Sequence, residues 1–330
     1  MIDNADNPVW VIVEQSEGQI PAVCLELIGK ACNLAENLGV STEAVFLGGQ
    51  DEHSAEALIY YGADKVYWGD SPVYEEYQSE LYTGTIAALV NEAQPQIILF
   101  GSTIIGRELA PLIAATLETG ITAHCIDLEI NEDQVLEQWI PAYGGLIAIT
   151  CPEKRPQIAT VAQGVFPNLE PDHNRTGEIV HITPPEGIRG RVKTLEVVRK
   201  EVEGVPLEEA RIVVAGGAGA GSAEGWQEIK NLSQVLRAGL GSTRPAVDEG
   251  WTDLETMIGQ SGKMVNPEFY IGVGLSGEQQ HMVGINDAKV MVAINNDPKS
   301  PVFNQVDLGI IEDCREFVPI LIGKLKEYIK

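Results

Sequence analysis

Between Val9 and Leu117 the sequence alternates short apolar runs with longer amphipathic ones, and this rhythm constrains the fold more than any other feature. Strands are expected at Val9–Val13, Ala44–Leu47, Lys65–Trp68 and Gln96–Phe100, with helices at Pro21–Leu38, His53–Tyr60, Tyr74–Glu92 and Arg107–Leu117. Such alternation builds a parallel, doubly wound sheet, because each helix carries the chain back so that the next strand can run the same way. The fold class is therefore α/β. From Thr122 to about Val165 the helices drop out. There ITAHCIDLEI, VLEQWIPAYGG, LIAITCP and QIATVAQGVF read as strands that extend the sheet in antiparallel fashion or form a small second layer.

The composition then changes. Between Pro167 and Gly204, NLEPDHNRTGE and TPPEGIRGR are loop signals and KTLEVVRKEVEG is a charged stretch. A second open α/β unit begins with RIVVAGGAGAGS, an apolar strand running into glycines. A helix over Ala223–Ala238, strands at Phe269–Val273 and Lys289–Ile294, and a closing amphipathic helix over Arg315–Lys330 are expected. The division is residues 1–203, a polar hinge at 204–208 (EGVPLEE around it) and residues 209–330. Two domains suit a chain of 330 residues, which is too long for one ordinary core.

Charge narrows the partners. Forty-eight acidic against 22 basic residues give a net charge of −26, a field that repels nucleic-acid phosphates and anionic lipid headgroups. No apolar run approaches the ~20 residues needed to span a bilayer. The opening MIDNADNPVW has neither a basic stretch nor an apolar one, so a secretory or transit signal is not expected and the cytoplasm is. Five cysteines without CxxC spacing fit buried thiols in a reducing compartment. Neither they nor the five histidines show metal-ligand spacing, so no metal is expected.

The candidate chemistry lies in the loops of the second unit. GGAGAGS between a strand and a helix suits a nucleotide phosphate, yet Ser222 replaces the third glycine of GxGxxG, and no acidic ribose partner ends a second strand about 20 residues on. Alone, it serves equally as a tight turn. GLGSTRPAVDEGW (Gly239–Trp251) places two hydroxyls and Arg244 in one short segment, where the guanidinium offers a cation and a donor fork. The segments GQSGK, from Gly259 to Lys263, and GLSGEQQH, from Gly274 to His281, are two more loops of glycine and small polar side chains. Three such loops after successive elements point to one shared pocket, although each by itself could be a surface turn.

Taken in order, GSTRPAVDEGW, GQSGK, GLSGEQQH and VAINNDP resemble the FAD-holding domain of electron-transfer flavoprotein alpha subunits, and the similarity runs on through FNQVDLGIIEDCREFVPIL. GSTIIGRELAPLIAATL and ATVAQGVF carry a looser resemblance in the first half. The resemblance implies FAD in the second domain, a first domain that serves the subunit interface and holds no nucleotide, and a beta subunit as partner. It also implies a redox carrier with no catalytic residues of its own, served by a dehydrogenase of the acyl-CoA dehydrogenase type or by NADH. By position, Thr243 would meet the ribityl–phosphate portion and Arg244 the isoalloxazine. Ser261 would donate toward flavin N5, with Ile258, Gly259 and Gln260 lining the ring by backbone. Ser276, Gly277, Glu278, Gln279 and Gln280 would hold the pyrophosphate, and His281 the C2 carbonyl. Asn295, Asp313 and Cys314 would take the adenosine end.

Two positions depart from the family pattern. Ala218 stands where GGRG is usual, and Asn296 replaces the lysine of INKDP, so two cations are missing. The competing readings are a stand-alone NAD-dependent enzyme and a module holding AMP or ATP in the first domain through GSTIIGR.

Overall fold

The computed structural model describes residues 7–15, 19–48, 51–142, 145–167, 169–188, 190–192, 194–197, 204–207, 210–285 and 288–328. The chain divides into two compact units, Met1–Val198 and Arg199–Lys330. Of the expected hinge at 204–208, Glu208 lies outside the described residues.

The first unit follows the predicted alternation: β1 (Val9–Val13), α1 (Ala22–Leu38), β2 (Thr42–Leu47), α2 (Glu52–Tyr60), β3 (Lys65–Gly69), α3 (Ser79–Ala93), β4 (Ile97–Gly101) and α4 (Ile104–Thr116). These strands join β5 (Ile121–Cys125), β9 (Gln157–Val161) and β10 (Glu178–His181) in a seven-stranded sheet of order β10-β3-β2-β1-β4-β9-β5. Every neighbouring pair in it is parallel. Leu27, Leu34 and Leu58 from α1 and α2 cover one face, while Leu81, Ile86, Leu109 and Ile113 from α3 and α4 cover the other. Helices therefore leave β1 and β4, which are adjacent, toward opposite faces. That is the switch point at which open α/β sheets form crevices.

At this crevice an acidic side chain faces the helix N-terminus and is engaged by the loop itself. Glu14, one residue beyond β1, is 7% exposed and accepts from Thr103 Oγ1 at 2.7 Å, while that same oxygen caps α4 by accepting from the Gly106 amide at 2.9 Å. Burial pushes the Glu14 carboxyl up to about 7. A carboxyl group in this position repels a phosphate once ionised, which speaks against AMP or ATP at the GSTIIGR loop.

Three expectations need correction. The helix placed at Tyr74–Glu92 starts five residues later, because Tyr74 ends a 3₁₀ turn and is buried in the core with its hydroxyl 3.0 Å from Thr85 Oγ1. The strands after Thr122 do not extend the sheet in antiparallel fashion. Instead β6 (Asp127–Ile130), β7 (Leu136–Ala142) and β8 (Gly145–Thr150) form a separate antiparallel sheet, the small second layer that was the other expectation. That excursion supplies the long connection by which β5 and β9 come to lie parallel. Finally, β10 lies in the stretch read as loop. It is short and half-exposed at the sheet edge, so it carries little apolar signal.

The second unit is a five-stranded parallel sheet of order β12-β11-β13-β14-β15, built from β11 (Ile212–Gly216), β12 (Gly239–Ser242), β13 (Phe269–Val273), β14 (Val290–Asn295) and β15 (Leu308–Ile311). Its helices are α5 (Ala223–Leu236), α6 (Arg244–Asp248), α7 (Gln279–Met282) and α8 (Cys314–Tyr328). In the sequence β12 carries no strand signal, because GLGS has no apolar pattern. A Cβ on Gly241 would lie 2.4 Å from the Ile258 side chain, so the glycine is needed for a chain that passes close beneath. At the mouth of α5, Ser222 is the N-cap and accepts from the Gly225 amide at 3.2 Å. This explains a serine where a dinucleotide fingerprint has glycine.

Candidate functional site

All five strands of the second sheet run the same way, so the loops leaving their carboxyl ends gather along one edge. They enclose a cavity of about 540 Å³, within the ~300–1,000 Å³ usual for small-ligand sites. The loop after β11 contributes Ala218 and Gly219, and the turn into α6 contributes Thr243, Arg244 and Pro245. The segment 257–262 forms one wall, residues 274–278 with Gln280 and His281 another, and Asn295 with Asn296 the end. Of the fifteen residues singled out from the sequence, the cavity gathers Thr243, Arg244, Ile258, Gly259, Gln260, Ser261, Ser276, Gly277, Glu278, Gln280, His281 and Asn295.

The other three sit elsewhere. Gln279 is exposed outside the cavity. Asp313 accepts from Arg315 Nη2 at 2.6 Å and from its backbone amide at 2.9 Å, which hold its carboxyl down to about 2. Cys314 is buried, its thiol 3.3 Å from the Gly219 carbonyl. Cys314 therefore backs the glycine loop, while Asp313 is engaged by Arg315. The loop leaves no room for side chains where it crosses the neighbouring one: the Gly219 amide donates to Gly274 O at 2.8 Å, and a Cβ on Gly219 would lie 2.7 Å from Gly274.

The wall at 274–278 is shaped to offer amides. Asn295 Nδ2 holds the Leu275 carbonyl at 2.8 Å, Ser300 Oγ the Ser276 carbonyl at 3.3 Å, and Gln305 Nε2 the Gly277 carbonyl at 2.7 Å. With the carbonyls tied back and Gly277 at φ +78°, the N–H groups of Ser276, Gly277 and Glu278 find no acceptor among the described residues. Consecutive free amides form an anion-binding concavity. Asn295 thus acts as a strut for that concavity, with its own Oδ1 taken by the Asp297 amide at 2.9 Å.

Opposite lie apolar Met257 and Ile258 and the exposed hydroxyl-bearing Ser261. The segment is clipped to α7, because Gln260 N donates to Gln280 O at 2.7 Å and His281 Nδ1 lies 3.0 Å from the Ile258 carbonyl. Beneath His281 is Tyr270, fully buried, its hydroxyl 2.7 Å from Nε2. Burial pushes the imidazole down to about 4, so it is neutral. A carbonyl can only accept, so Nδ1 carries the proton and Nε2 accepts from Tyr270. Both ring nitrogens are therefore engaged within the protein. A bond from His281 to a flavin carbonyl, the role implied by the resemblance, has to compete with one of these two. Tyr270 went unnoticed in the sequence because nothing in FYIGV separates it from an ordinary core aromatic.

Arg244 is the cavity's cation, 70% exposed at its side chain and 3.3 Å from Asp248 one turn on. Ala218 faces the same space. An amide cradle, one guanidinium and apolar walls together suit a ligand with a pyrophosphate and a flat ring, and FAD has both.

The comparisons agree with this geometry. Residues 9–186 match the family model described as the electron transfer flavoprotein domain, and residues 206–286 match the electron transfer flavoprotein FAD-binding domain. The chain is 40% identical over 322 residues to the electron transfer flavoprotein subunit alpha of Thermoanaerobacterium thermosaccharolyticum, covering 97% of this chain and 98% of that one. Protein FixB of Clostridium saccharobutylicum is 40% identical over 326 residues, with 97% of each chain covered. Electron transfer flavoprotein subunit alpha of Clostridium acetobutylicum is 38% identical over 327 residues, with 96% of each covered. None of these relatives supports a stand-alone NAD- or AMP-binding protein. The chain belongs to the electron-transfer flavoprotein alpha-subunit family.

Proposed function

We propose that this chain is the FAD-holding subunit of a two-subunit electron carrier, paired with a beta subunit in the cytoplasm and accepting electrons from a dehydrogenase of the acyl-CoA dehydrogenase type. The observation that carries the reading is the single cavity in which three separate loops of the FAD-binding domain meet around free amides and one cation. When bound there, FAD supplies the redox chemistry. The chain's own residues bind and tune it. The amides of Ser276 to Glu278 hold the pyrophosphate, Thr243 meets the ribityl–phosphate portion, and Ile258 to Ser261 lie along the ring. Arg244 supplies the positive charge that favours a reduced, negatively charged ring. Co-expression with a beta-like neighbour should yield a yellow heterodimer whose extracted flavin is FAD. A colourless complex, or a flavin-saturated monomer, contradicts the reading.

The two missing family cations make the tuning testable. Arg244→Ala should lower the flavin potential, and Ala218→Arg, projecting from the cavity wall, should raise it. Arg244 is largely exposed and paired with Asp248, so its effect is that of a solvated charge, about 1 kcal/mol or roughly 40 mV for one electron. Arg244→Lys should recover part of this, since an ammonium is more strongly hydrated and lacks the planar fork. Spectroelectrochemistry reads all three variants, and a potential unmoved by both Arg244→Ala and Ala218→Arg removes the electrostatic account.

A further inference from the structure

Tyr270 occupies the central strand of the second sheet, fully buried, and its phenol is held protonated by that burial. Its hydroxyl has one evident task, the 2.7 Å bond to Nε2 of His281. His281 in turn spends its Nδ1 proton on the Ile258 carbonyl, 3.0 Å away. Ile258 begins the cavity wall that runs through Gly259 and Gln260 to Ser261. The chain Tyr270 → His281 → Ile258 thus connects the sheet interior to the backbone that lines the cavity.

Each link has one admissible direction. If Tyr270 did not donate, Nε2 would be left a buried acceptor without a partner, which costs more than the bond itself contributes. If His281 took the other tautomer, a bare Nδ1 would face the lone pairs of the Ile258 carbonyl and the wall would be pushed away. The Gln260–Gln280 bond of 2.7 Å then remains as the second clip between wall and α7.

We propose that Tyr270 is a positioning residue for the flavin, fixing the neutral Nδ1–H tautomer of His281 and through it the place of the Ile258–Ser261 wall. The inference rests on the reading of this cavity as the FAD site. It concerns a residue that is buried behind the cavity and is not part of its lining.

Tyr270→Phe keeps the ring and its packing while removing the donor. In ¹⁵N spectra of the flavin-free full-length chain, with His281 assigned by its loss in His281→Gln, the wild type should show a single Nδ1–H tautomer near neutral pH. Tyr270→Phe should show a mixture of tautomers. In the complex with the beta subunit, the same variant should hold FAD about three- to tenfold more weakly, the scale of one neutral hydrogen bond. In the His281→Gln background, Tyr270→Phe should add nothing further, since its effect passes through the imidazole. An unchanged tautomer in Tyr270→Phe overturns the proposal, as do losses of FAD that multiply in the double variant. Failure of the wild-type complex to take up FAD sinks the reading of the cavity instead, and leaves the tautomer comparison in the flavin-free chain standing.

Discussion

Gly259→Ala should weaken FAD retention on the order of a hundredfold, or ~3 kcal/mol, without unfolding the second unit. Gly259 has φ +139°, which L-residues rarely adopt, and holding another residue there costs on the order of 1–3 kcal/mol. The space is also closed. A Cβ at this position would lie 2.3 Å from the Gln280 carbonyl oxygen and 3.1 Å from the His281 Cα, both backbone. Neither atom can swing aside as a flexible side chain would, so the wall has to retreat from α7. Retreat breaks the Gln260–Gln280 bond and the His281–Ile258 bond together, and the ring loses the surface against which it lies. Gly250→Ala is the matched control. It too has a positive φ, +72°, but a Cβ there meets nothing within 4 Å, so strain is present without a clash. Equilibrium dialysis of FAD against both variants, with urea melts to monitor the fold, measures the difference. Equal FAD affinity in Gly259→Ala and Gly250→Ala would mean that the wall does not define the site.

How much of this was legible beforehand depends on what kind of signal each part leaves. Strands such as β1, buried at every position, leave an uninterrupted apolar run, and the helices between them leave an amphipathic one. Both periods can be read without partners. β12, β10 and β15 were missed because their residues answer to neighbours instead. Gly241 is set by Ile258, β10 pairs at an edge through Glu178 and His181, and β15 carries three of its four residues in the open. The start of α3 was misplaced for a similar reason, since Tyr74 is apolar on behalf of the core and not of a helix face.

The site shows the same division. Of the fifteen residues that the family resemblance implies at the ligand, twelve line one cavity. What the loops do to one another was invisible, because it is written in backbone approaches such as Gly219 on Gly274 and in struts such as Asn295 and Gln305. The family resemblance implies Asp313 and Cys314 at the adenosine end of the ligand. In the structure Asp313 is engaged with Arg315 and Cys314 packs behind the glycine loop. His281 was expected to donate outward, and only its burial and its two partners reveal that the ring is already committed.

That commitment, together with Glu14, predicts that the two units respond to pH with opposite sign. His281 is depressed from the ordinary 6.5 to about 4 by burial, so between these values the unfolded chain binds a proton that the folded one refuses. Its contribution is complete above pH 6.5 and is lost as the pH falls toward 4, an amount of roughly 3 kcal/mol at ~1.4 kcal/mol per pH unit. Glu14 is raised from 4.5 to about 7, so there the folded chain is the one that binds the proton. Stability of the first unit is complete below pH 4.5 with respect to this group and is lost as the pH rises to 7, again by roughly 3 kcal/mol. Many other carboxylates titrate in the same window, so the informative quantity is the difference made by removing each group. Hydrogen exchange on the flavin-free chain, followed by mass spectrometry, resolves peptides from β13 and from β1 separately. Between pH 6.5 and 4.5, His281→Gln should flatten the loss of protection in β13 and leave β1 alone. Between pH 4.5 and 7, Glu14→Gln should flatten the loss in β1 and leave β13 alone. If either variant parallels the wild type in its own unit, the buried group titrates near its ordinary value and the burial argument for it is wrong.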